Sequence, residues 1–134
     1  MGELAVAADL QGKSILIVDD DYDMVNVLRT ALSGTGATLE TAMDGNAALK
    51  AVTEFDPDLI VLDAMLPKRS GFLVLEKLKG ASKKRGQRPL VIMITANTGK
   101  RHQTWAESLG VDDYLTKPFR MERLTQSVEK LLAD

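Results

Sequence analysis

Four consecutive aliphatic residues, Leu59-Ile60-Val61-Leu62, run straight into a carboxylate, Asp63, and on through Ala64-Met65-Leu66-Pro67. An unbroken apolar run of this length reads as a strand buried on both faces, as in a parallel sheet covered by helices on each side. Three other stretches behave alike. Ile15-Leu16-Ile17-Val18 opens onto Asp19-Asp20-Asp21, Leu90-Val91-Ile92-Met93-Ile94 onto Thr95, and Val111-Asp112-Asp113-Tyr114-Leu115 onto Thr116-Lys117-Pro118. Polar groups just beyond the carboxyl ends of parallel strands converge on one crevice, and ligands bind there. Asp63 is therefore expected to share a pocket with Asp19, Asp20, Thr95 and Lys117.

Helical periodicity fills the gaps between these runs. After a first strand at Ser14 to Val18, Met24, Val25, Leu28, Ala31 and Leu32 recur at helical spacing over about Tyr22 to Ser33, with acids at the start and Gly34 to close. A second strand covers about Thr38 to Ala42. Asp44 can cap a helix striped by Ala48, Leu49 and Val52, and Asp56-Pro57 ends that connection. Ser70 can cap the third helix, with Phe72, Leu75 and Leu78 toward the sheet, and Gly80 to Pro89 reads as a loop. The fourth helix, about Gly99 to Leu109, has only Trp105, Ala106 and Leu109 as an apolar stripe and should be the least firmly held. Pro118 permits a last helix, anchored by Met121, Leu124, Val128, Leu131 and Leu132. Five alternations of strand and helix predict an α/β three-layer sandwich: a doubly wound, five-stranded parallel sheet of flavodoxin-like order 2-1-3-4-5, with its switch point beside the first and third strands.

Bulk properties narrow the function. A chain of 134 residues suits one domain, read as residues 13–134 behind a loose leader at 1–12. Seventeen Lys and Arg against nineteen Asp and Glu leave a formal charge of -2, so nothing favours direct nucleic acid binding or an anionic membrane. Lys83-Lys84-Arg85 with Arg88 reads as a solvated loop beside Gly80, Gly86 and Pro89. Cysteine is absent, which excludes disulfides and thiol chemistry. The apolar patch Leu4 to Ala8 is too short for a membrane span and lacks the basic flank of a secretion signal, so a cytoplasmic protein is expected.

The candidate pocket poses an electrostatic problem. Two carboxylates about 4 Å apart repel by roughly 4 kcal/mol at an effective dielectric near 20, so Asp19, Asp20 and Asp63 require a cation. Hard oxygen ligands with access to water suit Mg²⁺, which takes one or two carboxylates plus phosphate oxygens. Lys117 adds a fixed positive charge, and Thr95 a hydroxyl donor for a phosphoryl oxygen. Carboxylates can accept phosphoryl groups covalently, so the set reads as an aspartyl-phosphate site. Each residue alone has an ordinary explanation: acids enrich helix starts, and a lone Thr or Lys at a strand end is common. Their joint occurrence at four strand ends carries the reading.

Val18-Asp19-Asp20, Leu62-Asp63 with Pro67 four residues on, Ile94-Thr95-Ala96 and Asp112-Asp113-Tyr114-Leu115-Thr116-Lys117-Pro118-Phe119 together resemble the receiver domain of two-component response regulators, of the chemotaxis-regulator kind. The resemblance covers about residues 13 to 133. It implies that Asp63 is the phosphoacceptor, with a histidine kinase or histidine phosphotransfer protein as donor. It further implies that Asp20 and Asp63, with Asp19 largely through water and the main-chain carbonyl of Met65, hold Mg²⁺. Lys117 would contact the phosphoryl group, Thr95 would read it, and Tyr114 occupies the switch aromatic position. A cis Lys117-Pro118 bond is also implied. Output, to a downstream protein or a second copy, would use the face of helix 4, strand 5 and helix 5, which carries Lys100, Gln103, Tyr114, Arg120 and Arg123. Relatives that dimerise through that face to bind DNA place an acid where this chain has Arg123, which argues against that dimer.

Two other classes share parts of the pattern. A haloacid-dehalogenase-like phosphatase would use Asp19 of Asp19-Asp20-Asp21 as its nucleophile, though Tyr22-Asp23 follows where small residues belong. A flavodoxin-like binding module has the same fold, but acids end the first strand where a flavin phosphate needs donors. His102, without neighbours at metal-ligand spacing, reads as a surface residue of the fourth helix.

Overall fold

The computed structural model describes residues 9–66, 70–81, 89–96 and 99–133. Ten elements alternate: β1 (Ser14–Val18), α1 (Tyr22–Ser33), β2 (Thr38–Ala42), α2 (Gly45–Phe55), β3 (Leu59–Asp63), α3 (Gly71–Ala81), β4 (Leu90–Thr95), α4 (Lys100–Ser108), β5 (Asp113–Thr116) and α5 (Met121–Leu132). All strand pairs are parallel, in the order β2-β1-β3-β4-β5. The expected flavodoxin-like, doubly wound sandwich is what forms.

Strand periodicity splits the interior into two cores. Leu16, Val18, Ile60, Leu62, Val91 and Met93 face one side of the sheet, against α2, α3 and α4. Their neighbours Ile15, Ile17, Leu59, Val61, Ile92 and Ile94 face the other, against α1 and α5. Successive side chains of a strand point to opposite faces, so an unbroken aliphatic run serves both cores at once. Capping follows the sequence: the Asp21 carboxylate accepts the N–H groups of Asp23 and Met24 at the start of α1, and Asp44 accepts the Ala47 N–H at the start of α2. The Ser70 hydroxyl likewise accepts the Leu73 N–H of α3.

Several expectations need correction. Leu10, placed by sequence in a loose leader, is 2% exposed and packs into the α1/α5 core, with its N–H donated to the Thr35 carbonyl at 2.8 Å. Residues 1–8 lie outside the described set. Gly34 ends α1 in ordinary right-handed geometry, and the left-handed turn falls on Gly36 at φ 86°. The third helix runs past Gly80 to Ala81, and the fifth strand begins at Asp113, because Asp112 turns its carboxylate to the Val91 N–H. Trp105, expected in the buried stripe of α4, is 44% exposed. Ala106 and Leu109 hold that helix, and no side chain caps its start. Phe72's side chain and the basic residues Lys83, Lys84, Arg85 and Arg88 lie outside the described residues. Among the described residues no helix is long and apolar enough to cross a membrane.

Candidate functional site

Sheet register assembles the pocket. Val18 pairs with Leu62 and Ile94 with Asp63, so Asp19 and Asp63 lie side by side as the first polar residues beyond two adjoining apolar runs. Thr95 pairs with Thr116, which sets Lys117 next to the end of β4, and the Lys117 N–H donates to the Thr95 carbonyl at 2.7 Å. Carboxylate oxygens of Asp19, Asp20 and Asp63 all lie within 4.8 Å of one another. Lys117 Nζ stands 3.6 Å from Asp63 Oδ2 and 3.8 Å from Asp19 Oδ2. Asp19, Asp63 and Thr95 are buried, whereas Asp20 is exposed at the rim. The five residues expected in one pocket are thus brought to one end of the sheet.

Each carboxylate is held differently. Asp63 Oδ1 accepts the Met65 N–H at 3.0 Å, leaving Oδ2 toward Lys117. Asp19 Oδ1 accepts the Asp21 N–H at 2.9 Å. Burial raises the Asp19 carboxyl to about 6, reinforced by the neighbouring Asp63 charge and opposed by the Asp21 N–H and Lys117. One ammonium against three carboxylates leaves the pocket short of positive charge. An oxygen-rich, partly open cluster with that deficit fits Mg²⁺.

Met65 is 65% exposed, two residues beyond Asp63. Asn97, the corresponding residue after Thr95, lies outside the described residues, as does Pro67. The Lys117-Pro118 bond is cis. Tyr114, paired with Met93 across β4 and β5, is half-buried against the core that includes Ala106 and Leu109. Its hydroxyl is buried and has no hydrogen-bond partner among the described residues.

Over residues 15–129 the chain matches the family described as the response regulator receiver domain. The chain belongs to that family. Among curated relatives, the alkaline phosphatase synthesis transcriptional regulatory protein PhoP of Bacillus subtilis is 38% identical over 123 residues, covering 90% of this chain and 48% of its own length. The transcriptional regulatory protein RprY of Bacteroides fragilis is 37% identical over 118 residues, with 88% and 48% covered. The chain thus spans about half the length of these relatives. Among solved structures, the receiver domain of Francisella response regulator 1452 superposes with a TM-score of 0.81 at 30% identity, covering 90% of this chain and 97% of that one. A CheY-like receiver domain protein from Methanospirillum hungatei gives 0.80 at 28%, with 90% and 93% covered. A receiver domain is not a member of a hydrolase family, and neither the phosphatase reading built on Asp19 nor the flavodoxin-like module finds support.

Two features of this receiver are missing from the sequence reading. Asp113, the residue before Tyr114, accepts both Arg123 guanidinium nitrogens, at 3.0 and 3.1 Å, together with the Ser127 hydroxyl and the Tyr114 N–H at 2.8 Å. Burial alone would raise the Asp113 carboxyl, but these donors outweigh it and hold it below its ordinary value. The second is Gly71, whose Cα lies against the Asp63 peptide. Its only sequence signal is a poor helix former placed straight after a capping serine.

Proposed function

We propose that this receiver takes a phosphoryl group onto Asp63 from a histidine kinase or histidine phosphotransfer protein, and that the modification alters the face made by α4, β5 and α5. The observation that supports this reading is a single one: Asp63 is a buried carboxylate at the end of the central strand, 3.6 Å from a lysine and inside a three-aspartate cluster. In the transfer, an Asp63 oxygen forms an O–P bond as the N–P bond of the donor phosphohistidine breaks, and the departing imidazole takes up a proton. Lys117 holds a phosphoryl oxygen and offsets its charge, and the Thr95 hydroxyl donates to another. Asp20 and Asp63, with Asp19 largely through water and the Met65 carbonyl, would hold Mg²⁺, which when bound neutralises charge on the transferring group. The chain catalyses only its own phosphorylation and dephosphorylation, in the cytoplasm where such donors present their histidines.

A groove of about 620 Å³ adjoins Lys117, lined by Met24, Val27, Phe119 and Met121 with Asp21 and Asp23 on its edge. It gives a donor protein an apolar resting place beside the pocket. On the output side, a buried unpaired hydroxyl costs about 1–3 kcal/mol, so Tyr114 sits in its present position by a small margin. A phosphoryl group drawing Thr95 inward can therefore shift it, and α4, with Ala106 its one fully buried anchor between Lys100 and Ser108, is the helix easiest to move.

The test is labelling by a small acyl phosphate in Mg²⁺. Wild type is expected to gain one phosphoryl group per chain and Asp63→Asn none; undiminished labelling of that variant would sink the assignment.

A further inference from the structure

We infer that Gly71 is a positioning residue for phosphoryl transfer to Asp63: the missing side chain lets the first turn of α3 seat directly on the acceptor's own peptide. This rests on the reading of Asp63 as acceptor. A methyl group built on Gly71 would stand 2.7 Å from the Ala64 Cα and 3.1 Å from the Asp63 carbonyl carbon, and closer still to the Asp63 carbonyl oxygen. Those obstacles are backbone atoms, so no rotamer change clears them, and a close-packed interior passes the displacement on.

Hydrogen bonds show what the contact holds. The Gly71 N–H donates to the Ala64 carbonyl at 3.0 Å, while the Ala64 N–H donates to the Ile94 carbonyl at 2.8 Å. The Met65 N–H then donates to Asp63 Oδ1 at 3.0 Å. The segment from Asp63 to Met65 is thereby gripped by β4 on one side and by α3 on the other, with Ala64 fully buried between them. Gly71 is not among the residues with positive φ, so backbone freedom is not what the position needs. A glycine in a helix is ordinarily worse than alanine. Space is the remaining reason, and the space is filled by the acceptor's peptide.

Misplacing a reacting group by about 1 Å can cost on the order of 100-fold in rate. Gly71→Ala is therefore expected to slow labelling of Asp63 by acetyl phosphate in Mg²⁺ by about tenfold or more, with the loss in the maximal rate and not in the donor concentration at half-saturation. Leu78→Ala supplies the comparison. That residue is buried on the same helix, two turns beyond Gly71, and its truncation destabilises the fold without adding an atom against the acceptor's peptide. With both variants assayed at a temperature where circular dichroism shows them folded, Leu78→Ala should be labelled at the wild-type rate. Wild-type labelling of folded Gly71→Ala, or equal slowing of Leu78→Ala, would overturn the inference. Should Gly71→Ala not fold, hydrogen exchange in the wild type decides: the hydrogen-bonded Gly71 and Ala64 amides should be protected as strongly as the interior of β3, and exchange at the rate of an unstructured chain would overturn the contact on which the inference stands. A wild type that is not labelled at Asp63 contradicts the acceptor reading itself, whereas normal labelling of both wild type and Gly71→Ala contradicts only the role of Gly71.

Discussion

Burial of Asp19 beside Asp63 gives this chain a pH signature of its own. With the carboxyl raised from 3.8 to about 6, the native state binds a proton more tightly than the unfolded chain between those values. Stability contributed by the protonated form is fully present below 3.8 and is lost as pH rises through about 6, so unfolding without Mg²⁺ should become easier across that window. Asp19→Asn should flatten this fall and leave the metal-free protein more stable at pH 7, as urea denaturation at a series of pH values would measure. An unchanged slope in the variant would move the effect elsewhere. Asp113 acts in the opposite direction and lower down: its depressed carboxyl contributes stability above 3.8 that disappears as pH falls through its folded value. On the proposed acceptor role of Asp63, Met65 bears on a different property, the lifetime of the phosphoryl group. A thioether two residues beyond Asp63, exposed as it is, would shield that group without a donor or acceptor strong enough to orient an attacking water, which the amide side chain of an asparagine such as Asn97 has. Met65→Asn should speed self-dephosphorylation and Asn97→Ala slow it, each by about tenfold or roughly 1.4 kcal/mol in the barrier. Phosphoryl loss timed in Mg²⁺ without kinase checks both, and unchanged rates would mean that neither residue controls the water.

A strand buried on both faces and a helix with a capping side chain were the easiest elements to read. The bounds of β1 and α1 match the sequence reading, because a doubly buried strand must be aliphatic throughout and a capped helix announces its start. The expected bounds of β2 match as well, although this edge strand, Thr38–Ala42, is exposed or half-buried over most of its length. Leu10 was not readable: one apolar residue before Gln11-Gly12 has no period, and its burial depends on a hydrogen bond to Thr35 some 25 residues away. Leu10→Ala should nevertheless cost about 2–5 kcal/mol, like other buried leucines, and a loss below about 0.5 kcal/mol in urea unfolding would return that residue to the leader. Trp105 misled because Trp on a sparse helix invites a buried reading, yet the small Ala106 is what packs in. Both sheet edges also carry a device that alternation does not reveal. Glu40 on β2 and Asp113 on β5 each turn a carboxylate onto the N–H of the next residue, at 3.1 and 2.8 Å, which blunts exposed strand edges.

At the scale of the molecule, the pocket was legible because parallel register places the residues after each strand side by side, and the motif order pointed to the receiver family that the chain matches. The clamp between Asp113, Arg123 and Ser127 was not, since those residues lie ten and fourteen positions apart and each alone reads as surface. That clamp has a consequence for output. Arg123 is paired with Asp113 within the chain, so on the proposed output role the face of α4, β5 and α5 would present a partner with Lys100, Gln103 and Arg120 and not with a free β5 acid. Amide exchange compared before and after phosphorylation should change across α4, β5 and the start of α5; changes confined to α1 and α2 would refute this output face. The measurement closest to the central claim is chemical mapping of the modified residue. Borohydride reduces an aspartyl phosphate to homoserine, so after treatment with acetyl phosphate and Mg²⁺ the peptide containing Asp63 should carry homoserine at that position. Homoserine at Asp19 or Asp20, or at no aspartate, would contradict it.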